Sequence, residues 1–185
     1  IKHHNQYNLI PNIDMNVEEL QDTDEIDMIK YIGKQTIITN LNVGSGKTNK
    51  ANDFIINHLS NMKINENGFV IIISNRILYG TEYAAKINKH LISKNKNPVI
   101  KYLDLEKGHN KNAIINKYSG LVISIESLKK HEDLIKYIIK KTKYIFLLDE
   151  IETILKNITG STNKDHLGSC DLIYKLWESS KTNVI

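Results

Sequence analysis

Apolar residues fall along this chain in two alternating rhythms. Short continuous runs have the length and β-branched character of strands covered on both faces: Gln35 to Asn40 (QTIITN), Gly68 to Ser74 (GFVIIIS), Val99 to Leu103, Gly120 to Ser124 (GLVIS) and Tyr144 to Leu148 (YIFLL). Between them apolar positions recur at helical spacing. Thr48 to Met62 carries Ala51, Phe54, Ile55, Leu59 and Met62, a second helical stretch spans Leu78 to Lys94, and Glu126 to Lys140 carries Leu128, Leu134, Ile135, Ile138 and Ile139. A short helix at Ile151 to Lys156, a polar glycine-containing loop from Thr159 to Gly168, a helix at Cys170 to Ser179 and the opening of a sixth strand at Asn183 to Ile185 complete the series. Strands alternating with helices specify an α/β fold, a mainly parallel sheet with helices on both faces. Residues 1–32 break the rhythm. They are polar and acidic, contain Pro11, and are expected to form a lead-in with one short helix around Asn16 to Gln21 or Asp24 to Tyr31. Residues 33–185 are expected to form one domain.

The junction of the first strand and first helix reads Thr39-Asn-Leu-Asn-Val-Gly-Ser-Gly-Lys-Thr48. Glycines where a strand ends and a helix begins let the backbone wrap closely around an anion, and the N–H groups of the helix's first turn point at it with the positive end of the dipole. Val43, Gly44, Ser45, Gly46, Lys47 and Thr48 therefore read as a phosphate-binding loop. Lys47 would neutralise the β- and γ-phosphates of ATP, and the Thr48 hydroxyl would ligate Mg²⁺. The glycine that usually opens such a loop is replaced by Leu41, which is expected to tighten or reshape its start.

The last apolar strand ends directly in Asp149-Glu150, about 100 residues after Lys47. With the phosphate loop expected on a neighbouring strand, these carboxylates suit two jobs: Asp149 holding Mg²⁺ through its water shell, and Glu150 orienting and deprotonating an attacking water. An acidic start to the helix at Ile151 to Lys156 would use the same two residues. Glycine loop and carboxylate pair both fall at strand ends, where open parallel sheets bind ligands.

A strand ending in Asp-Glu-Ile-Glu (Asp149 to Glu152) resembles the superfamily 2 helicases. The wider series TNLNVGSGKT, VIIISNR, LVISIESL and IFLLDEIE resembles the origin-of-replication binding proteins of herpesviruses and the related helicases of other large DNA viruses. The resemblance covers Gln35 to about Leu155. It implies a three-layer RecA-like P-loop NTPase domain, ATP and Mg²⁺ as cofactors, and an ATP hydrolase acting as a DNA helicase in viral replication. It further implies that the segments after the second and fourth strands touch the nucleic-acid backbone, here Ser74, Asn75 and Arg76, then Ser124, Glu126, Ser127 and Leu128. Hydroxyl, amide and guanidinium groups suit such sequence-independent contacts. An ordinary surface role for Arg76 and a helix N-cap or first-turn role for Ser127 stay open.

Composition narrows the picture only slightly. The 185 residues are 41% hydrophobic and 25% charged, with net charge +4, which is ordinary for a globular protein and compatible with a polyanionic partner. The lysines from Lys86 to Lys101 and from Lys129 to Lys143 are expected on solvated helix faces more than in a DNA groove. A single cysteine, Cys170, allows no internal disulfide and fits a reducing compartment; with His166 four residues before it, it is read as structural or surface. No apolar run approaches the roughly 18 residues that span a bilayer, so no membrane partner is expected, and an intracellular location follows, the host nucleus or a cytoplasmic virus factory if the protein is viral.

A motor of this kind places ATP between two RecA-like domains, the second supplying an arginine finger worth about 10³ or more in rate. The chain starts at Ile1 and stops as a sixth strand opens, so a longer polypeptide carrying that second domain is expected. The 185 residues alone should bind ATP weakly, hydrolyse it slowly and unwind nothing. Two other classes remain: a P-loop phosphotransferase, which would need no strand-end Asp-Glu, and a degenerate nucleotide or nucleic-acid binding module without turnover, at which Leu41 hints.

Overall fold

The computed structural model describes residues 36–37, 47–61, 68–74, 77–105, 110–148, 151–158, 165–180 and 182–184. The lead-in and its expected helix lie outside them. The described strands are β1 (Thr36–Ile37), β2 (Gly68–Ser74), β3 (Val99–Lys101), β4 (Gly120–Ser124), β5 (Lys143–Leu148) and β6 (Thr182–Val184). The helices are α1 (Lys47–Asn61), α2 (Ile77–Ser93), α3 (Lys111–Lys117), α4 (Glu132–Lys141), α5 (Ile151–Ile158) and α6 (His166–Ser179). The strands form one six-stranded sheet in the order β1-β6-β5-β2-β4-β3, and every pairing is parallel. The α/β class expected from the alternating rhythm is the class observed.

Strand residues of alternate parity join different cores, as a pleated strand requires. Phe69, Ile71, Ile73, Leu121, Ile123, Tyr144, Phe146 and Leu148 pack with Ile114 of α3, Leu134, Ile135 and Ile138 of α4, Ile154 and Ile158 of α5, and Leu172 and Leu176 of α6. Val70, Ile72, Val122, Ile145 and Leu147 pack instead with Phe54, Ile55, Ile56 and Leu59 of α1 and Tyr83, Ala84, Ile87 and Leu91 of α2. Continuous apolar runs such as Val70 to Ile73 thus have both faces covered. Gly120 opens β4 where a Cβ would collide with the Val70 side chain and approach its carbonyl oxygen to 2.7 Å, so only glycine lets these strands pair here.

Four expectations are corrected. The strand from Val99 stops at Lys101, and Tyr102–Asp104 form a single 3₁₀ turn. The helix expected from Glu126 begins only at Glu132, after 3₁₀ turns at Ile125–Ser127 and Lys129–His131, so Ser127 is neither cap nor first turn of an α-helix. α6 starts at His166 rather than Cys170, because Asp165 caps it by accepting from the Gly168 N–H at 2.8 Å. Finally, the phosphate-loop strand and the Asp-Glu strand are not neighbours: β6 lies between β1 and β5, with Asn183 paired to Thr36 on one side and Phe146 on the other.

Candidate functional site

The register of the central strands aligns their carboxyl ends. Ser74 of β2 pairs with Ser124 of β4, and Ile73 pairs with Leu148, the last residue of β5. The residue after Leu148 in the chain is Asp149. On the other side of β5, two strand spacings away, or about 10 Å, β1 runs towards the glycine loop. α1 begins at Lys47 itself, so the backbones of Lys47 and Thr48 form its first turn and their N–H groups are among those a helix leaves unpaired. Val43, Gly44, Ser45, Gly46, Asn75, Arg76, Asp149 and Glu150 lie outside the described residues.

Two features flank α1's first turn. Lys86 of α2 donates to the Asn49 side-chain oxygen, tying the two helices together at the surface. Asn52, one turn further along α1, is 1% exposed, and its Oδ1 has no hydrogen-bond partner among the described residues. It continues the buried stripe of Ile55, Ile56 and Leu59. Its signal in the sequence is a polar residue on an otherwise apolar helical stripe, which apolar spacing alone does not pick out.

At the ends of β2, β3 and β4 the structure brings together Ser74, Ser124 and Ser127, three of the residues expected near nucleic acid. A narrow cleft there is lined by Ser74, Gly80, Thr81, Lys101, Tyr102 and Ser124 among others. The three serines are buried. Ser124 Oγ lies 3.1 Å from Ser127 Oγ and 3.4 Å from the Tyr102 hydroxyl. A serine has one proton to donate, so it donates to one of these partners and can accept only from the other. These hydroxyls therefore brace the turn at Ile125–Ser127, and Glu126 is the exposed residue of that turn. Tyr102 was not legible as part of the site, because nothing local marks the residue after β3; its ring also packs edge-on against His131 at 5.7 Å. Burial, helped by the charge of Lys130, lowers the His131 pKa and favours the neutral imidazole.

The lysines divide as expected of solvated faces. Lys86 and Lys89 on α2, Lys94 in the turn after it, and Lys130, Lys136, Lys140 and Lys141 around α4 are exposed. Glu132 pairs with Lys129 at 2.7 Å and with Lys136 at 2.6 Å, while Lys129 also reaches Asp165 at 3.6 Å and Lys101 pairs with Asp104 at 3.4 Å. Cys170 is exposed on α6. Among the described residues no helix is long and apolar enough to cross a membrane. No protein-family model matches the chain, and no curated protein is similar enough in sequence to be matched.

Proposed function

We propose that this chain is the ATP-binding, three-layer RecA-like domain of an ATP-dependent DNA helicase of superfamily 2, resembling the viral origin-binding proteins. One juxtaposition carries the reading. The strand that leads into Gly44-Ser-Gly-Lys-Thr48 and the strand that leads into Asp149-Glu150 lie two places apart in one parallel sheet, and both loops leave from its carboxyl edge. Open parallel sheets bind their ligands along that edge. Two strand spacings, about 10 Å, keep the starts of the two loops within reach of one bound triphosphate and its metal.

In this reading the first-turn amides of α1 hold the phosphates and Lys47 neutralises their charge. Thr48 and Asp149 are the residues that would hold Mg²⁺, which when bound offsets negative charge on the β- and γ-phosphates. The buried Asn52 oxygen, an acceptor without a described donor one turn below, fits a hydrated cation there. Glu150 orients the attacking water and takes its proton. The strand-end turns at Ser74 and at Ser124 to Ser127 face the DNA backbone, with Asn75, Arg76 and Glu126. Because the serine hydroxyls are buried, they shape those turns and leave backbone N–H groups and exposed side chains to meet phosphates. A second RecA-like domain in the same polypeptide would complete the site, and other replication proteins are its expected partners.

The test is nucleotide binding by titration calorimetry on the 185-residue chain. Saturable, Mg²⁺-dependent ATP binding that Lys47→Ala weakens at least about tenfold, with Glu150→Gln binding normally, supports the reading. Binding indifferent to Lys47 overturns it. In a polypeptide that carries the second domain, single-stranded DNA should raise ATP hydrolysis, and both substitutions should abolish the increase. Nucleotide binding without DNA-dependent turnover there would favour the binding module instead.

A further inference from the structure

Asn52 is a buried polar side chain in a place where the pattern calls for an apolar one. It occupies the stripe that continues through Ile55, Ile56 and Leu59, all buried against the sheet, yet it is itself 1% exposed and its Oδ1 meets no donor among the described residues. An unpaired buried acceptor is destabilising, so its retention in a helix core points to a partner that arrives with a ligand. The direction of the side chain narrows that partner. Cα–Cβ bonds in a helix tilt towards its N-terminus, and side chains lean over the preceding turn. Asn52 therefore leans towards the turn that starts at Lys47.

The distances agree. Position 48 lies about 6 Å nearer the N-terminus along the axis. An asparagine reaches roughly 3 Å from its Cα through bonds of about 1.5 Å, and a hydrogen bond spans a further 2.7–3.0 Å or so. The partner must be a hydrogen-bond donor or a cation, which excludes phosphate oxygens, and the summed reach of about 6 Å matches a donor at the level of position 48, as a metal-bound water would be.

Building on the nucleotide reading above, we propose that Asn52 is a positioning residue for the metal and nucleotide. Its Oδ1 accepts a hydrogen bond from a water in the Mg²⁺ hydration shell at the first turn of α1. Groups that orient metal ligands in this way typically change metal affinity by about 10- to 100-fold when removed.

The experiment compares the wild-type chain with Asn52→Leu, Asn52→Asp and Lys47→Ala, titrating ATP with Mg²⁺ and again with EDTA, and recording the unliganded Tm of each. Asn52→Leu keeps the shape and removes the acceptor. Its unliganded Tm should equal or exceed that of the wild type, its Mg-ATP affinity should fall about tenfold, and its affinity for metal-free ATP should be unchanged. Asn52→Asp keeps an acceptor oxygen and should retain the Mg²⁺ dependence, which a purely structural role would not require. If Lys47→Ala weakens binding while Asn52→Leu binds Mg-ATP as the wild type does, the role of Asn52 falls and the nucleotide reading stands. If wild-type binding ignores both Mg²⁺ and Lys47, both fall together.

Discussion

A methyl group on Gly80 would stand 2.8 Å from Ser74 Oγ and 3.3 Å from Val122 Cγ1, so the absence of a side chain at residue 80 lets α2 pack closely on β2 and β4 without displacing either. Gly80→Ala gains helix propensity but must push back a buried serine and a buried valine. Overpacking of this kind costs about 1–3 kcal/mol, and urea denaturation should show the net loss; an unchanged midpoint would mean that α2 can shift freely. Glu132 offers a test by pH. Hydrogen bonds from Lys129 and Lys136 hold its carboxyl down to about 2 from an ordinary 4.5. Because the folded value is the depressed one, the pairing stabilises the fold fully above pH 4.5, and the benefit drains away as pH falls towards 2. Glu132→Gln should therefore be less stable than the wild type at neutral pH, with the gap closing on acidification and also in high salt, since the cluster lies at the surface. A gap that persists at pH 2 would assign the effect to packing.

α6 is held at both ends by side chains outside the helix, and each end makes a prediction. At its C-terminal end the Tyr144 hydroxyl, on β5, donates to the Leu176 carbonyl at 2.8 Å, satisfying one of the last four carbonyls that a helix cannot pair internally. Burial pushes the Tyr144 pKa up, so the phenol stays a neutral donor throughout the physiological range. Tyr144→Phe should cost about 0.5–1.5 kcal/mol for the bond and more if water cannot reach the abandoned carbonyl. At the other end, Asp165→Ala removes the cap and the Lys129 contact, and should cost about 0.5–2 kcal/mol. The two losses should add in a double mutant, because the sites lie at opposite ends of one helix. That cap also explains what the sequence concealed. Gly168 reads as a loop residue, yet here it is the helical N–H that Asp165 receives, with so little room that any Cβ would strike the carboxylate. α3 leaves no periodic signal, because Lys111–Lys117 buries a single residue, Ile114. The pattern from Glu126 to Lys140 reads as one helix because Leu128 joins the same core as Leu134, Ile135 and Ile138; 3₁₀ turns and α-helix place apolar residues on one side at nearly the same spacing. Strands fared better, since runs such as Val70 to Ile73 and Tyr144 to Leu148 need cover on both faces wherever they sit.

Which strands stand side by side is a property of the whole molecule, and local pattern cannot reveal it. The sequence places the glycine loop and the Asp-Glu pair at strand ends, but the insertion of β6 between β1 and β5 joins residues near 36, 145 and 183, and no short-range signal spans that distance. The same order divides the sheet into parts of unequal stability. β2 is paired on both sides along its length with β4 and β5, and Val70 to Ile73 are at most 1% exposed, so its amides should exchange with solvent only when the whole fold opens. The two described residues of β1 pair with β6 alone, and β3 pairs only with β4 over three residues, so both should exchange through local opening at lower cost. If the carboxyl edge between β1 and β5 binds Mg-ATP, ligand will act on that uneven landscape. A ligand at 100 times its Kd stabilises the bound state by about 2.7 kcal/mol. For β2 this lowers global opening, and for β1, β6 and the first turn of α1 it suppresses openings that break the site itself. Hydrogen exchange with and without Mg-ATP should therefore show slowing at β1, β6 and the start of α1 under conditions where β3, remote from that edge, keeps its rate. Lys47→Ala should erase the difference. Equal slowing at β3 and β1 would instead place the ligand's effect on global stability alone, and slowing confined to β3 and α2 would move the binding site to the serine-lined cleft at the ends of β2, β3 and β4.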